Sequence, residues 1–190
     1  AEVRAQHMAI TDPLTNLYNR RAIKEKTTEL SARASRRGKS VAFLMIDLDE
    51  FKKINDLYGH DTGDQLLREA ADRMREVVPP SSIVARLGGD EFGVCMVFEP
   101  EYPESVDRVA EDIVEILARP VMIAEMEQTI TASIGISVFP GDASTARDVV
   151  SHADNALRAA RRLGCDCYLD YVNVPEHART ERPELVIAEQ

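Results

Sequence analysis

Six apolar residues in succession open the run VAFLMIDLDEF, residues 41–51, and acids at Asp47 and Asp49 follow them. This is the pattern of a buried central strand whose C-terminal end emerges into a polar site. Residues 83–87 and 92–98 are two further apolar runs, and the Gly-Gly-Asp-Glu segment between them predicts a hairpin with glycine at its turn. The β-branched run QTITASIGISVFP, residues 128–140, predicts a fourth strand stopped by Pro140. Apolar positions recur every three or four residues over 20–37, 62–77, 105–117 and 146–163, which predicts four helices. A further helix is expected to begin just after Asp49, near Phe51. Gly164 is the expected stop of the last helix, and residues 167–171 the expected closing strand.

Strands and helices alternate, but the hairpin forces an antiparallel pair. The expected fold class is therefore α+β, a mostly antiparallel central sheet flanked by helices. TDPLTNLYNRR, residues 11–21, has the proline and asparagines of a loop, and an ion pair between Asp12 and Arg20 is expected to lock it. Residues 1–11 are expected to end an upstream linker or signalling helix, and 12–171 to form the domain. Residues 172–190, charged and carrying Pro175 and Pro183, are expected to be a linker or disordered tail.

A chain of 190 residues with 44% hydrophobic content can close one sizeable core. No window approaches the about 18 consecutive apolar residues of a membrane span, so no direct membrane contact and a cytoplasmic location are expected, within a parent that could be tethered elsewhere. The net charge of −10 argues against nucleic acid or anionic lipid as partner, since such binding needs a positive surface. A nucleotide stays open where metal ions supply the positive charge. Cys95, Cys165 and Cys167 neither pair evenly nor match a metal-site spacing, which fits reduced thiols. The four histidines are scattered, against a zinc cluster.

Residues two apart in a strand point the same way, so Asp47 and Asp49 are expected on one face with Leu48 on the other. If the hairpin lies beside that strand, Asp90 or Glu91 comes close to Asp47. Carboxylates gathered in this way repel unless protons or cations intervene, and magnesium, a hard ion that takes one or two carboxylates plus phosphate oxygens, suits the corner. Gly88 and Gly89 allow positive φ and close approach of a ligand, and the free amides of a helix starting near Phe51 can hold phosphate. Taken alone, the Gly-Gly-Asp-Glu turn also reads as a solvated hairpin and the Asp-x-Asp as a strand boundary. Asn55 could equally cap or break a helix, and Asp64 could sit in a first turn.

With the segments around them, these residues resemble the GGDEF domain, the diguanylate cyclase module. GGDEF stands at residues 88–92; DPLTNLYNRR (12–21) resembles the family's opening and DLDEFKKIND (47–56) its metal strand and following helix. YGHDTGD (58–64) resembles the base-binding segment and SIGIS (133–137) a later strand, so the resemblance spans residues 12–171. It implies a fold similar to the catalytic palm of polymerases and class III nucleotide cyclases. It also implies conversion of two GTP molecules into cyclic di-GMP and two pyrophosphates by a homodimer using Mg²⁺, with Mn²⁺ possible. The metal ligands it implies are Asp47, the Leu48 carbonyl and Asp90. Asp90 is also the implied proton acceptor for the ribose 3′-hydroxyl, with Glu91 a further acid. Asn55 and Asp64 match the family's guanine readers, Asp64 accepting together from the adjacent N1–H and N2–H of the base. Phe51, Lys52, His60, Gly88, Gly89 and Arg161 are the remaining implied nucleotide contacts.

The last helix departs from the family pattern. Arg161 stands where a phosphate-gripping lysine is usual, Cys165 where an arginine is, and Arg158 where a tyrosine is. Lysine to arginine preserves charge but changes geometry. The implied activity is therefore weakened but surviving. A second reading is a catalytically weak or inactive GTP-binding module that controls a covalently linked EAL-type phosphodiesterase domain; a linked sensory domain is also expected. Pro79 and Ser82 occupy the positions of the Arg-x-x-Asp inhibitory product site found in many relatives, so inhibition through that site is not expected.

Overall fold

In the computed structural model, which describes residues 10–179 apart from 124 and 165, six strands form one sheet. Their spatial order is β1 (Tyr18–Asn19), β3 (Ile83–Gly88), β4 (Glu91–Phe98), β2 (Ser40–Leu48), β7 (Ala132–Phe139) and β8 (Tyr168–Asp170). The three inner ladders are antiparallel, and the outer pairs β1–β3 and β7–β8 are parallel. The fold is thus α+β with a mixed sheet whose centre is antiparallel, as the hairpin requires.

Every residue of β2 is buried. Its period of two divides them between two layers. Ala42, Leu44, Ile46 and Leu48 pack in one cluster with α3 (His60–Val77) and α4 (Glu104–Leu117). Val41, Phe43 and Met45 pack in the other with α1 (Arg20–Ser35) and α5 (Ala146–Leu163). Helix α5 approaches the sheet closely at Gly135: a Cβ there would stand 2.1 Å from both the Ala153 carbonyl oxygen and the Leu157 nitrogen.

The expected elements hold with shifted ends. The strand predicted over 128–140 is shorter, because Gln128 closes a separate hairpin, β5 (Val121–Ile123) with β6 (Met126–Gln128), and β7 begins only at Ala132. The helix predicted from Thr62 begins at His60, directly after α2 (Phe51–Tyr58); Gly59, with φ 86°, breaks the two apart. The segment expected to be loop contributes β1, whose two residues are too few for periodicity to register.

The segment expected as a tail starts with a 3₁₀ turn (Tyr171–Asn173) and α6 (Glu176–Arg179). Val174 is buried there with Ala156 and Ala159 of α5, and the Tyr171 ring stacks on His152 with centroids 4.1 Å apart. The expected upstream helix end at residues 1–9, and residues 180–190, lie outside the described residues. Among the described residues no helix is long and apolar enough to cross a membrane.

Candidate active site

Asp47 stands one residue before the end of β2, opposite Glu91 of β4 on one side and Ser133 of β7 on the other. The Leu48 N–H donates to the Asp90 carbonyl at 3.2 Å, so the hairpin turn is tied to the end of the central strand. The acids that the sequence brings together as Asp47, Asp90 and Glu91 are therefore neighbours in space.

Asp47 is 4% exposed. Its Oδ2 accepts from Arg161 Nη1 at 2.9 Å, whereas its Oδ1 is buried with no hydrogen-bond partner. Burial first, then the nearby charge of Asp90, push its carboxyl up to about 7; Arg161 opposes this, and Glu91 and Asp49 add to it. A buried carboxylate with an idle oxygen, surrounded by further acids, fits a divalent cation. Among the described residues no three His, Cys, Asp or Glu side chains form a cage, but two carboxylates and the Leu48 carbonyl suffice for magnesium when phosphate oxygens complete the shell.

Asp49 does not join them. β2 ends at Leu48 and Glu50 turns into the left-handed region, φ 53°, so the alternation that would align Asp49 with Asp47 is broken. The Asp49 carboxylate instead accepts from Ser133 Oγ at 2.8 Å, Thr131 Oγ1 at 2.9 Å and the Asp166 amide at 3.0 Å, pinning the exit of β2 to the start of β7. No side chain caps the N-terminus of α2 at Glu50, which leaves that end open to an anion.

Gly88 and Gly89 both adopt positive φ, 142° and 53°, and a Cβ on either would meet nothing within 4 Å. The glycines therefore serve the turn's conformation and leave its outer side clear. Two arginines hold the turn. Arg86 donates through Nε and Nη2 to the Gly89 carbonyl at 2.9 and 2.8 Å, and Arg20 donates to the Leu87 carbonyl at 2.8 Å and to Glu91 at 3.3 Å. The expected Asp12–Arg20 pair is not formed. Asp12 pairs with Arg86 at 3.2 Å, because the parallel β1–β3 ladder sets Asn19 beside Arg86 and carries the preceding loop to that side. Burial pushes the Asp12 carboxyl up, but hydrogen bonds from Thr15 and the charge of Arg86 outweigh it and hold the carboxyl below its ordinary value.

The expected base readers sit where α2 meets α3. Asn55 Oδ1 is buried without a partner, and a Cβ at Gly63 would lie 1.8 Å from it. Gly63 thus lets the Asn55 amide lie against α3, and the residue after that glycine is the partly buried Asp64. Phe51, 8% exposed, packs under the same glycine, while Lys52 and His60 are exposed at the starts of their helices. On the role that the resemblance implies for Asn55, Gly63→Ala is expected to expel its amide and weaken nucleotide binding about tenfold or more, read by calorimetry with a GTP analogue, with little loss of helix stability since alanine is the better helix former. The sequence signal for Gly63 is a glycine inside an amphipathic helix, where it costs stability and implies close packing. Nothing local in the sequence marks the Arg86 and Arg20 clamps. Arg161 reaches the corner from α5, while Cys165 lies outside the described residues.

A mixed sheet whose central strand ends in an acidic corner, faced by an open glycine turn and flanked by a buried amide, has the layout that the resemblance to the GGDEF domain implies. The chain belongs to the GGDEF family: the family model described as "Diguanylate cyclase, GGDEF domain" matches residues 9–167. It is 38% identical over 161 residues to the bifunctional diguanylate cyclase/cyclic di-GMP phosphodiesterase MucR of Pseudomonas aeruginosa, a match that covers 85% of this chain and 23% of MucR. It is 34% identical over 164 residues to the cyclic di-GMP phosphodiesterase NbdA of the same organism, over 86% of this chain and 21% of NbdA. The chain thus spans less than a quarter of the length of these relatives. In structure it is similar to the GGDEF domain of TpbB from Pseudomonas aeruginosa, with a TM-score of 0.81, 31% identity and coverage of 85% of this chain and 94% of that one.

Proposed function

We propose that this chain is a metal-dependent diguanylate cyclase domain that joins two GTP molecules into cyclic di-GMP with release of two pyrophosphates, working as a homodimer. The observation that carries the reading is the idle Oδ1 of Asp47, buried beside Asp90 at the foot of an open glycine turn. A purely structural hairpin has no need of it. Asp64 and Asn55 hold guanine by its Watson–Crick edge, and adenine offers Asp64 the wrong donor pattern, so GTP is preferred over ATP. Gly88 and Gly89 admit the triphosphate; Lys52, His60 and the amides that open α2 at Phe51 line its path. Asp47, the Leu48 carbonyl and Asp90 would hold Mg²⁺ or Mn²⁺, which when bound neutralises charge on the reacting phosphate and acidifies the 3′-hydroxyl. Asp90 takes the proton of that hydroxyl, and Glu91, held by Arg20, keeps further negative charge at the corner. Each domain presents one such site, so a second protomer must bring the second GTP.

The test is incubation with GTP and magnesium, with chromatography for cyclic di-GMP and pyrophosphate. Product, formed at a rate rising with the square of protein concentration while monomer dominates, is the expected result; its absence at concentrations that support a dimer would reject the reading. The second reading, a weak or inactive GTP-binding module governing a linked EAL-type phosphodiesterase domain, is favoured by Cys165 at the phosphate-arginine position and by the resemblance to NbdA. Binding of GTP without turnover would select it. A cytoplasmic location and a linked sensory or EAL-type domain belong to either proposal.

A further inference from the structure

We propose that Arg161 is a built-in counter-cation for Asp47, exchanged for a metal ion only when a nucleotide arrives, so that metal and nucleotide binding are coupled through this one side chain. The inference rests on the reading of the corner as a metal–nucleotide site and concerns how that site behaves before it is loaded.

Asp47 needs a cation. It is 4% exposed, faces Glu91 across the ladder and lies near Asp90 and Asp49. Among the described residues its one ion-pair partner is Arg161, at 2.9 Å. Arg161 is built to leave: its side chain is 51% exposed against 6% for Asp47, and it springs from the last turn of α5. Arg158, one turn earlier, is paired with Asp154.

A divalent ion on either Asp47 oxygen would stand within a few ångströms of the guanidinium. Like charges at that separation oppose each other, and the burial of Asp47, between them, limits the screening that water gives. A metal arriving alone must therefore displace Arg161 into solvent, with no new anion to receive it. A metal arriving with a triphosphate brings that anion: the planar guanidinium fork matches phosphate oxygens in a bidentate way that a lysine ammonium does not. Arg161 can then move from Asp47 to phosphate while the metal takes its place. Coupling of this kind is reciprocal, so each ligand tightens the other.

The experiment is a titration of the full chain with Mn²⁺, free ion being counted by electron paramagnetic resonance, without and with a GTP analogue carrying a non-cleavable α,β-methylene bridge. Wild type, Arg161→Ala, Arg161→Gln and, as a site control, Asp47→Ala are compared. Without nucleotide, both Arg161 variants are expected to bind Mn²⁺ about tenfold more tightly than wild type, because the competing charge is gone; with Mn²⁺ present, they are expected to bind the analogue about tenfold more weakly. Equal or weaker Mn²⁺ binding by both variants in the absence of nucleotide would overturn the proposal while leaving the site itself intact. Failure of wild type to bind Mn²⁺ even with the analogue, or binding that survives Asp47→Ala, would overturn the reading of the site and this inference with it.

Discussion

Gly135→Ala is expected to destabilise the domain by about 3 kcal/mol or more, read as a fall in the midpoint of denaturant unfolding. The added methyl carbon would lie 2.1 Å from the Ala153 carbonyl oxygen and the Leu157 nitrogen and 2.7 Å from the Leu157 Cα. These are backbone atoms of a helix, which cannot rotate aside as a side chain can. The clash is relieved only by lifting α5 from the sheet, which opens the layer formed by Val149, Ala153 and Leu157 against Phe43 and Met45. Gly141→Ala is the control: its Cβ would meet Val138 Cγ1 at 3.6 Å, ordinary contact, and is expected to change stability by no more than about 0.5 kcal/mol. The consequence extends beyond stability. α5 carries Arg161 to Asp47, so any Gly135→Ala protein that still folds is expected to bind nucleotide more weakly as well. Unchanged stability would mean that α5 slides along the sheet without cost, contrary to close packing.

What the sequence reveals of this fold follows from how far each signal reaches along the chain. The central strand is legible because six apolar residues in a row can be buried on both faces, and β2 divides its odd and even residues between two helical layers. The hairpin is legible because two glycines sit between two apolar runs. Alternation fails at Asp49, since a period of two holds only while the strand lasts and Glu50 ends it in a left-handed conformation. The partner of Asp12 is illegible for a different reason. Arg86 lies 74 residues away, and the pair exists only because a two-residue strand docks parallel to β3. Arg161 is 114 residues from Asp47, so the resemblance to the family supplies its neighbourhood but not its partner. Gly63 and Gly135 occupy regular elements where glycine weakens a helix or a strand, and in both the missing Cβ is needed for a close approach.

Asp47→Asn is expected to do two opposite things: lower cyclic di-GMP formation about a thousandfold or more, and raise the stability of the metal-free protein above pH 7 by about 1–3 kcal/mol. The loss follows from the proposed function, because a neutral amide is a poor ligand for a hard cation and no longer offsets charge at the reacting phosphate. The gain follows from the electrostatics of the corner. Burial, and then the charge of Asp90, raise the Asp47 carboxyl from 3.8 to about 7 in the folded state, even with Arg161 attached. Between those two values the folded protein holds a proton that the unfolded chain has released, so this group's contribution to stability is full below about pH 4, declines as pH rises, and is lost above about pH 7. Asparagine keeps the shape without the charge, and the difference in unfolding free energy between variant and wild type should therefore grow across that window and then level off. Saturating Mg²⁺ with a GTP analogue should reverse the order, stabilising wild type and leaving the variant behind. Urea unfolding at pH 5 and pH 8, with and without those ligands, checks both signs. A variant less stable than wild type at pH 8 without metal would mean that the Arg161 ion pair outweighs the burial of Asp47, and that the corner needs no further cation.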